Sequence, residues 1–175
     1  GFNGYVIGML SGGIGFNTNN SDLYGTASTG LANGWHHVAA VFTNGSVTLN
    51  RLYINGALQT LTQRTGSPLL AAAVATTTLN VGGYSAANTY RFAGRIDELK
   101  VYNGAISAAT VATLYAERHA CSTGLIAQWD FESITSNTTP DSSGNGNTLS
   151  LGASGVSLVG GVVGNGLLLN GASPA

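Results

Sequence analysis

The sequence has little charge: Asp, Glu, Lys and Arg make up only 7% of its 175 residues, where about 25% is typical of soluble domains. We expect Gly (26 residues), Asn, Ser and Thr to fill the surface positions that charged residues usually take. A chain poor in Lys and Glu also lacks the residues that favour helix surfaces. The composition therefore favours strands and turns.

The scarcity of basic residues excludes nucleic acid as a partner. The formal net charge is −1, and phosphate binding needs clustered cations. The six basic residues are scattered at Arg51, Arg64, Arg91, Arg95, Lys100 and Arg118. No apolar run reaches the ~18 residues of a membrane span.

A single cysteine, Cys121, excludes an internal disulfide framework. It is either an incidental thiol or a partner for something outside the chain. The length suits one domain with a sizeable core. The chain opens at Gly1 without an initiator Met, directly before an apolar run, so we expect it to be part of a longer polypeptide.

Alternating apolar residues predict strands along most of the chain. Residues 35–42 are apolar on both faces, which predicts a central strand, and Asn44-Gly45 predicts a hairpin to a partner strand at 47–55. The apolar parity of that partner changes at Asn50-Arg51, which predicts a bulge. Further strands are predicted at 5–10, 78–81, 90–102, 125–131, 148–151 and 166–169.

One short helix is predicted after Ser107, a good N-cap residue, with Ile106 and Val111 placed as a hydrophobic staple. We expect it to end near 117–118. Many short strands with regular turn signals indicate a sandwich or barrel.

Three segments resemble the second half of a laminin G-like jelly roll, a family within the concanavalin A-like lectin/glucanase superfamily. They are Gly-Trp-His-His-Val-Ala at 34–39, Leu-Tyr-Ile-Asn-Gly at 52–56 and the run from Phe92 to Asn103. The helix after Ser107 is similar to the one that closes such domains. The resemblance implies an all-β, concanavalin A-like jelly-roll sandwich of antiparallel strands with one short helix.

Residues 125–171 resemble the first half of the same family. Trp129 to Glu132 is similar to its opening strand, Asp141 to Asn147 to its loop, and Gly160 to Leu167 to its next strand. The order predicted is therefore a second half at 1–118, a junction at 119–124 and a first half at 125–175.

Two interpretations of this order stand: one circularly permuted sandwich, or parts of two tandem domains. The middle strands of the family, about 10–15 residues at usual strand lengths, have no evident match. A sandwich that lacks inner strands exposes sheet edges, and exposed edges recruit strands from neighbouring chains.

The resemblance implies a structural Ca²⁺ at Asp97, with Glu132, Asp130 and Asp141 as further ligands and carbonyl groups near Gly144. Ca²⁺ takes six to eight oxygen ligands of this kind. In the alternative interpretation, Asp97 pairs with Arg95 or Lys100, and Asp141 only makes an Asx-turn.

Catalysis is not expected. Glycoside hydrolysis needs two carboxylates about 5–9 Å apart, and no strand carries the Glu-x-Asp-x-x-Glu pattern of related glucanases. His36 and His37 alternate faces of one strand and cannot ligate one ion together, so we expect them to pack or form hydrogen bonds.

Two functions are consistent with these residues. The resemblance implies a secreted or cell-surface, non-catalytic module that binds glycans or cell-surface components, with Tyr24, Tyr84, Tyr90 and Asn88 as candidate ligand-binding residues or merely solvated ones. The low charge instead favours a structural subunit of an extracellular fibre or layer, which binds copies of itself by strand exchange.

Overall fold

The computed structural model describes residues 6–18, 22–70, 79–83, 91–116, 125–151 and 156–170. Packing divides the chain into two compact units. Unit 1 combines residues 1–77 with 105–120, and unit 2 combines residues 78–104 with 121–175. Each unit is therefore built from two pieces that are separate in sequence.

Unit 1 contains a sheet in the order β1-β2-β3-β7 and a second sheet in the order β4-β5-β6, with antiparallel pairing in both. Phe16 from the first sheet and Leu52 from the second belong to one buried core. The rings of Phe16 and Phe42 meet edge to face at 5.1 Å. The strands are Ile7–Leu10 (β1), Gly13–Phe16 (β2), Leu23–Ala27 (β3), Val38–Val41 (β4), Arg51–Ile54 (β5), Ala57–Leu58 (β6) and Thr62–Thr65 (β7).

The helix of unit 1, α1, spans Ala108–Ala116. The Ser107 hydroxyl accepts the backbone N–H of Thr110 at 3.1 Å, which confirms the predicted N-cap. Val111 is fully buried in a cluster with Val41 and Tyr53, and Ile106 packs against the same cluster. The apolar face of α1 thus covers β4 and β5.

Two strand predictions in unit 1 were wrong in detail. The strand predicted at 35–42 is shorter, and β4 is the end strand of its sheet among the strands that the structure describes. The predicted bulge is replaced by a 3₁₀ turn at Val47–Leu49. The Asn50 carboxamide oxygen accepts the backbone N–H of Thr43 at 2.6 Å. This N–H is therefore bonded to a side chain and not to the backbone of a partner strand.

Unit 2 is also antiparallel, with the pairs β9-β10 and β11-β12 and a sheet in the order β13-β14-β8. The strands are Ala93–Ile96 (β8), Leu99–Tyr102 (β9), Leu125–Trp129 (β10), Thr138–Thr139 (β11), Leu149–Ser150 (β12), Val156–Gly160 (β13) and Asn165–Asn170 (β14).

Strand predictions in unit 2 were wrong in detail. Residues 79–81, predicted as part of a strand at 78–81, form no strand. The single strand predicted at 90–102 is broken between β8 and β9, which pair with different strands. Glu98 adopts a φ of 52° at the break, and its N–H is held by the Asp97 carboxylate at 2.9 Å. The strand predicted from 160 to 167 is instead the hairpin β13-β14 with its turn at 161–164.

The core of unit 2 joins strands from distant parts of the chain. Ala127, Trp129 and Phe131 are buried, which confirms the alternation predicted for 125–131. They pack with Leu149, Leu167 and Leu169, and the partly buried side chains of Ile96, Leu99 and Val101 in β8 and β9 complete the cluster. Residues 125–170 therefore share one core with strands β8 and β9.

Candidate functional site

Two of the predicted metal ligands, Asp97 and Glu132, face the turn between β13 and β14. Asp97 Oδ2 accepts the backbone N–H of Val162 at 3.1 Å. Both oxygens of Glu132 accept the backbone N–H of Asn165 at 3.2 Å. The two carboxylates thus hold opposite ends of one turn.

The turn approaches these carboxylates closely because it carries glycine at 161 and 164. A Cβ on Gly161 would collide with Asp97 Oδ2, and a Cβ on Gly164 would collide with the carboxylate of Glu132. Gly164 also has a φ of 57°, which favours glycine over other residues.

Burial raises the pKa of Asp97, and the negative charge of Glu132 adds to the rise. The N–H groups of Val162, Glu98 and Val163 oppose it without cancelling it. Asp97 forms no ion pair in the described part of the chain, where Lys100 pairs with Glu98 at 3.4 Å instead. The predicted pairing of Asp97 with Arg95 or Lys100 was therefore wrong.

Asp141 organises the loop that follows β11. Its Oδ1 accepts the N–H groups of Gln128 at 2.9 Å and Ser143 at 2.8 Å, and its Oδ2 accepts the N–H of Asn147 at 2.9 Å. The bond to Ser143 is the Asx-turn of the alternative interpretation. Partial burial opposes ionisation, but the hydrogen bonds from Ser143, Gln128 and Asn147 hold the pKa of Asp141 well below its ordinary value.

Asp130, the fourth predicted ligand, accepts a hydrogen bond from the side chain of Gln128 at 2.5 Å. Among the described residues, no group of three or more His, Cys, Asp or Glu side chains is placed to hold a metal ion. The structure brings Asp97 and Glu132 to one turn and gives Asp130 and Asp141 separate partners.

A polar network links His36 and His37 to the turn between β5 and β6 in unit 1. Asn55 Oδ1 accepts the N–H of His37 at 3.1 Å, and Asn55 Nδ2 donates to His36 Nδ1 at 3.1 Å. His36 Nε2 lies 3.2 Å from the carbonyl oxygen of Asn33. Since a carbonyl only accepts, these bonds fit a neutral His36 that carries its proton on Nε2.

Two exposed aromatic residues neighbour this network, Tyr115 in space and Trp35 in sequence. The Tyr115 ring of α1 lies 5.9 Å from the His37 ring, and Trp35 precedes His36 in the chain. Trp35 is 39% exposed and Tyr115 is 52% exposed. We name Trp35, His36, His37, Asn55 and Tyr115 the aromatic patch.

The sequence prediction missed the aromatic patch, although it expected the histidines to form hydrogen bonds. One signal was present in the sequence: Asn55-Gly56 is a pair typical of tight turns, and it has the positive φ values of 51° and 78° that such a turn requires. The position of Tyr115 over this turn depends on how α1 packs, which no local pattern specifies.

A family model described as concanavalin A-like lectin/glucanases superfamily, of the laminin G type, matches residues 2–112. The match covers more than half of the chain. The chain belongs to this superfamily. No curated protein matches it, and no solved structure does.

Membership of the concanavalin A-like superfamily confirms the predicted all-β class and indicates a carbohydrate-binding or adhesion type of module. Laminin G-like domains are generally non-catalytic, although the superfamily also includes glucanases. The family match ends at residue 112, so the resemblance of residues 125–171 to the first half of a laminin G-like domain stays a prediction. The predicted boundaries, with a junction between residues 118 and 125, also stay a prediction.

The calcium site that this superfamily implies fits the described residues only in part. Asp97 and Glu132 place two carboxylates at one turn, and oxygen ligands of this kind suit Ca²⁺. Asp141 does not fit, because its oxygens already accept three backbone N–H groups. The predicted four-residue ligand set is not assembled, and calcium binding stays a prediction.

The predicted sugar-binding residues are not gathered by the described structure. Tyr24 lies in β3, where it is half-buried against the core with Phe16. Tyr84, Asn88 and Tyr90 lie outside the described residues, and so does Cys121. None of the described helical residues forms a segment long and apolar enough to cross a membrane.

Proposed function

We propose that this superfamily member is an extracellular, non-catalytic module that binds glycans or cell-surface components through the aromatic patch. The observation that carries the proposal is the exposed Tyr115 ring against His37 in the fixed network of His36, His37 and Asn55, with the exposed Trp35 adjacent to His36 in the chain. The extracellular location rests on the usual location of laminin G-like domains.

The aromatic patch has the chemistry that sugars require. Sugar rings present C–H faces that pack on aromatic rings and hydroxyl groups that need polar partners. The carboxamide of Asn33 is exposed and makes no hydrogen bond to a described residue, so it is available to a hydroxyl group. The bonds of Asn55 fix the neighbouring backbone, which reduces the entropy lost on binding.

The partners of the described carboxylates support a non-catalytic role. A glycosidase needs one protonated acid and a second free carboxylate that flank the scissile bond. Burial raises the pKa of Asp97, which favours its protonated form. The side chains of Asp97 and Glu132 are nevertheless both engaged, because each accepts a backbone N–H group of the 161–165 turn. Asp141 is likewise occupied by backbone donors.

Binding of the full chain to an array of cell-surface glycans tests the proposal. Trp35→Ala and Tyr115→Ala should each weaken binding by about tenfold or more, as expected for exposed aromatic contacts. Phe92→Ala is the matched control, because Phe92 is 38% exposed and lies in unit 2. Binding that is unaffected by both patch substitutions would refute the aromatic patch as the site.

Two further variants separate the alternatives. A loss of binding in Tyr84→Ala or Tyr90→Ala, with the patch variants unaffected, would place the sugar site at the residues predicted from sequence. Binding that EDTA abolishes and Ca²⁺ restores, but not in Asp97→Asn, would support a calcium site at Asp97 and Glu132.

The composite core of unit 2 favours a second candidate function, self-assembly by strand exchange. Strands β8 and β9 pair with β14 and β10, and the connecting chain passes through α1 of unit 1. The same pairing is available between two copies, where residues 125–170 of one chain complete β8 and β9 of another.

Single-cysteine variants test this exchange. Lys100 lies directly opposite Gln128 in the β9-β10 pair, at a separation suited to a disulfide. In a Cys121→Ser background, Lys100→Cys and Gln128→Cys chains are unfolded together, refolded and oxidised. If the strands exchange, the Lys100→Cys and Gln128→Cys chains should form a disulfide with each other. Its yield should exceed that of a control mixture of Lys100→Cys and Ser28→Cys chains. A yield no higher than in that mixture would refute exchange.

A further inference from the structure

The sequence contains eight Asn-Gly pairs, which the proposed functions do not use. They begin at Asn3, Asn33, Asn44, Asn55, Asn103, Asn145, Asn165 and Asn170. Glycine has no side chain to hinder its backbone nitrogen, so that nitrogen can attack the carboxamide of a preceding Asn. The structure distinguishes these pairs by how firmly each Asn side chain is held.

We propose that Asn33 and Asn103 are sites of spontaneous deamidation, and that the fold protects Asn55, Asn145 and Asn165. In the reaction, the glycine nitrogen forms a bond to the Asn Cγ and ammonia leaves, giving a succinimide. Water then opens the ring at either carbonyl, giving Asp or isoaspartate. Water is the only co-reactant, and a neutral amide is exchanged for a carboxylate.

The two reactive positions are exposed and free. Neither the Asn33 nor the Asn103 carboxamide hydrogen-bonds to a described residue. A Cβ placed on Gly34 or Gly104 would meet no atom within 4 Å. The backbone of each glycine is therefore open on the side where a Cβ would lie.

The three protected carboxamides are held in place. Asn55 uses both its oxygen and its nitrogen, toward His37 and His36. The Asn145 Nδ2 donates to the carbonyl oxygens of Leu125 and Ile126 at 3.1 and 3.0 Å. The Asn165 Nδ2 donates to the carbonyl oxygen of Glu132 at 3.3 Å, and Gly166 is buried in β14.

Attack requires the carboxamide to leave these partners. The net free energy of one hydrogen bond corresponds to a rate factor of about tenfold, so each held Asn should react at least about tenfold more slowly than Asn33 or Asn103. Each conversion adds one negative charge to a chain with a formal net charge of −1. Conversion of Asn33 places that charge next to the aromatic patch.

Peptide mass spectrometry of the full chain, aged in mildly alkaline buffer, measures the rate at each site. Replacement of the amide NH₂ by OH should accumulate first at Asn33 and Asn103. Equal rates at these two and the three held positions would overturn the proposal.

Two variants make the test specific. Gly104→Ala hinders the nucleophile where the added methyl group meets no atom, and it should slow conversion of Asn103 alone by about tenfold or more. His36→Ala removes one partner of Asn55 and should accelerate conversion there without affecting Asn103. An unchanged Asn103 rate in Gly104→Ala, or an unchanged Asn55 rate in folded His36→Ala, would contradict the mechanism.

Discussion

Gln128 donates its backbone N–H to Asp141 over 2.9 Å, and this bond ties the loop after β11 to strand β10. The same carboxylate accepts the N–H groups of Ser143 and Asn147. Three donors on one ionised group stabilise its charged form. Asp141 is thus a structural anchor for unit 2, whose folding should depend on its charge.

Asp141→Asn should lower the free energy of unfolding by about 1–2 kcal/mol at pH 7. The loss is modest because solvent screens the interactions of a carboxylate near the surface. The carboxamide would turn a donor toward the N–H of Asn147, which needs an acceptor. Because the folded pKa of Asp141 is lowered, its contribution is present above the ordinary carboxyl value of 3.8 and is lost as the pH falls below it. Urea unfolding from pH 7 to pH 3 measures both effects.

The control for that measurement is Asp130→Asn, because Asp130 bonds to the Gln128 side chain instead of the loop backbone. Its effect should stay within about 0.5 kcal/mol. Equal losses for the two variants, or a pH-independent loss for Asp141→Asn, would show that Asp141 does not act through its charge.

The stability difference between the wild-type chain and Asp97→Asn should change with pH in the opposite direction to that for Asp141→Asn. Burial raises the pKa of Asp97, so its ionised form costs stability at neutral pH. That cost is relieved as the pH falls through the raised folded value toward 3.8. The stability of the wild-type chain relative to Asp97→Asn should therefore increase on acidification, and a relative decrease in the same urea series would contradict this assignment.

Thr139→Val should leave stability unchanged or raise it by about 1 kcal/mol. The Thr139 hydroxyl is buried and has no hydrogen-bond partner among the described residues, and an unpaired buried hydroxyl is costly. Thr138→Val is the matched substitution, since the Thr138 hydroxyl donates to Thr135 at 2.7 Å. It should lose about 0.5–1 kcal/mol, and thermal unfolding compares the two directly.

Gly15→Ala should destabilise unit 1 by about 1–3 kcal/mol or more, because overpacking forces the backbone apart. Gly15 lies opposite Gly25 in the β2-β3 pair, and its added Cβ would collide with the carbonyl oxygen of Tyr24. Gly8→Ala in β1 is the control, since nothing lies within 4 Å of its Cβ. Circular dichroism melts should show a loss for position 15 alone, and similar melts for both variants would contradict the close approach.

Local patterns in the sequence predicted the elements whose causes are local. The alternation at 125–131 and the Ser107 cap are examples, because neighbouring residues determine them. The break at Glu98 was not predictable, since a non-glycine residue rarely adopts a positive φ. The 3₁₀ turn at Val47–Leu49 depends on the bond between Asn50 and Thr43, which no apolar pattern specifies.

The candidate sites were predictable only as residue types. The family resemblance singled out four of the seven acids, Asp97, Asp130, Glu132 and Asp141. The pairing of β8 with β14 is what brings Asp97 to Val162, 65 positions away. The aromatic patch likewise joins a loop, a turn and a helix. Contacts between distant segments depend on strand register and helix packing, and one sequence does not reveal them.

Binding without catalysis is tested most directly by calorimetric titration of the full chain with a glycan that the array identifies, followed by mass spectrometry of that glycan. We expect saturable binding that Trp35→Ala weakens, and a glycan of unchanged mass after prolonged incubation. Shortened glycan products with new reducing ends would contradict the proposed function, and so would the absence of binding to every glycan tested.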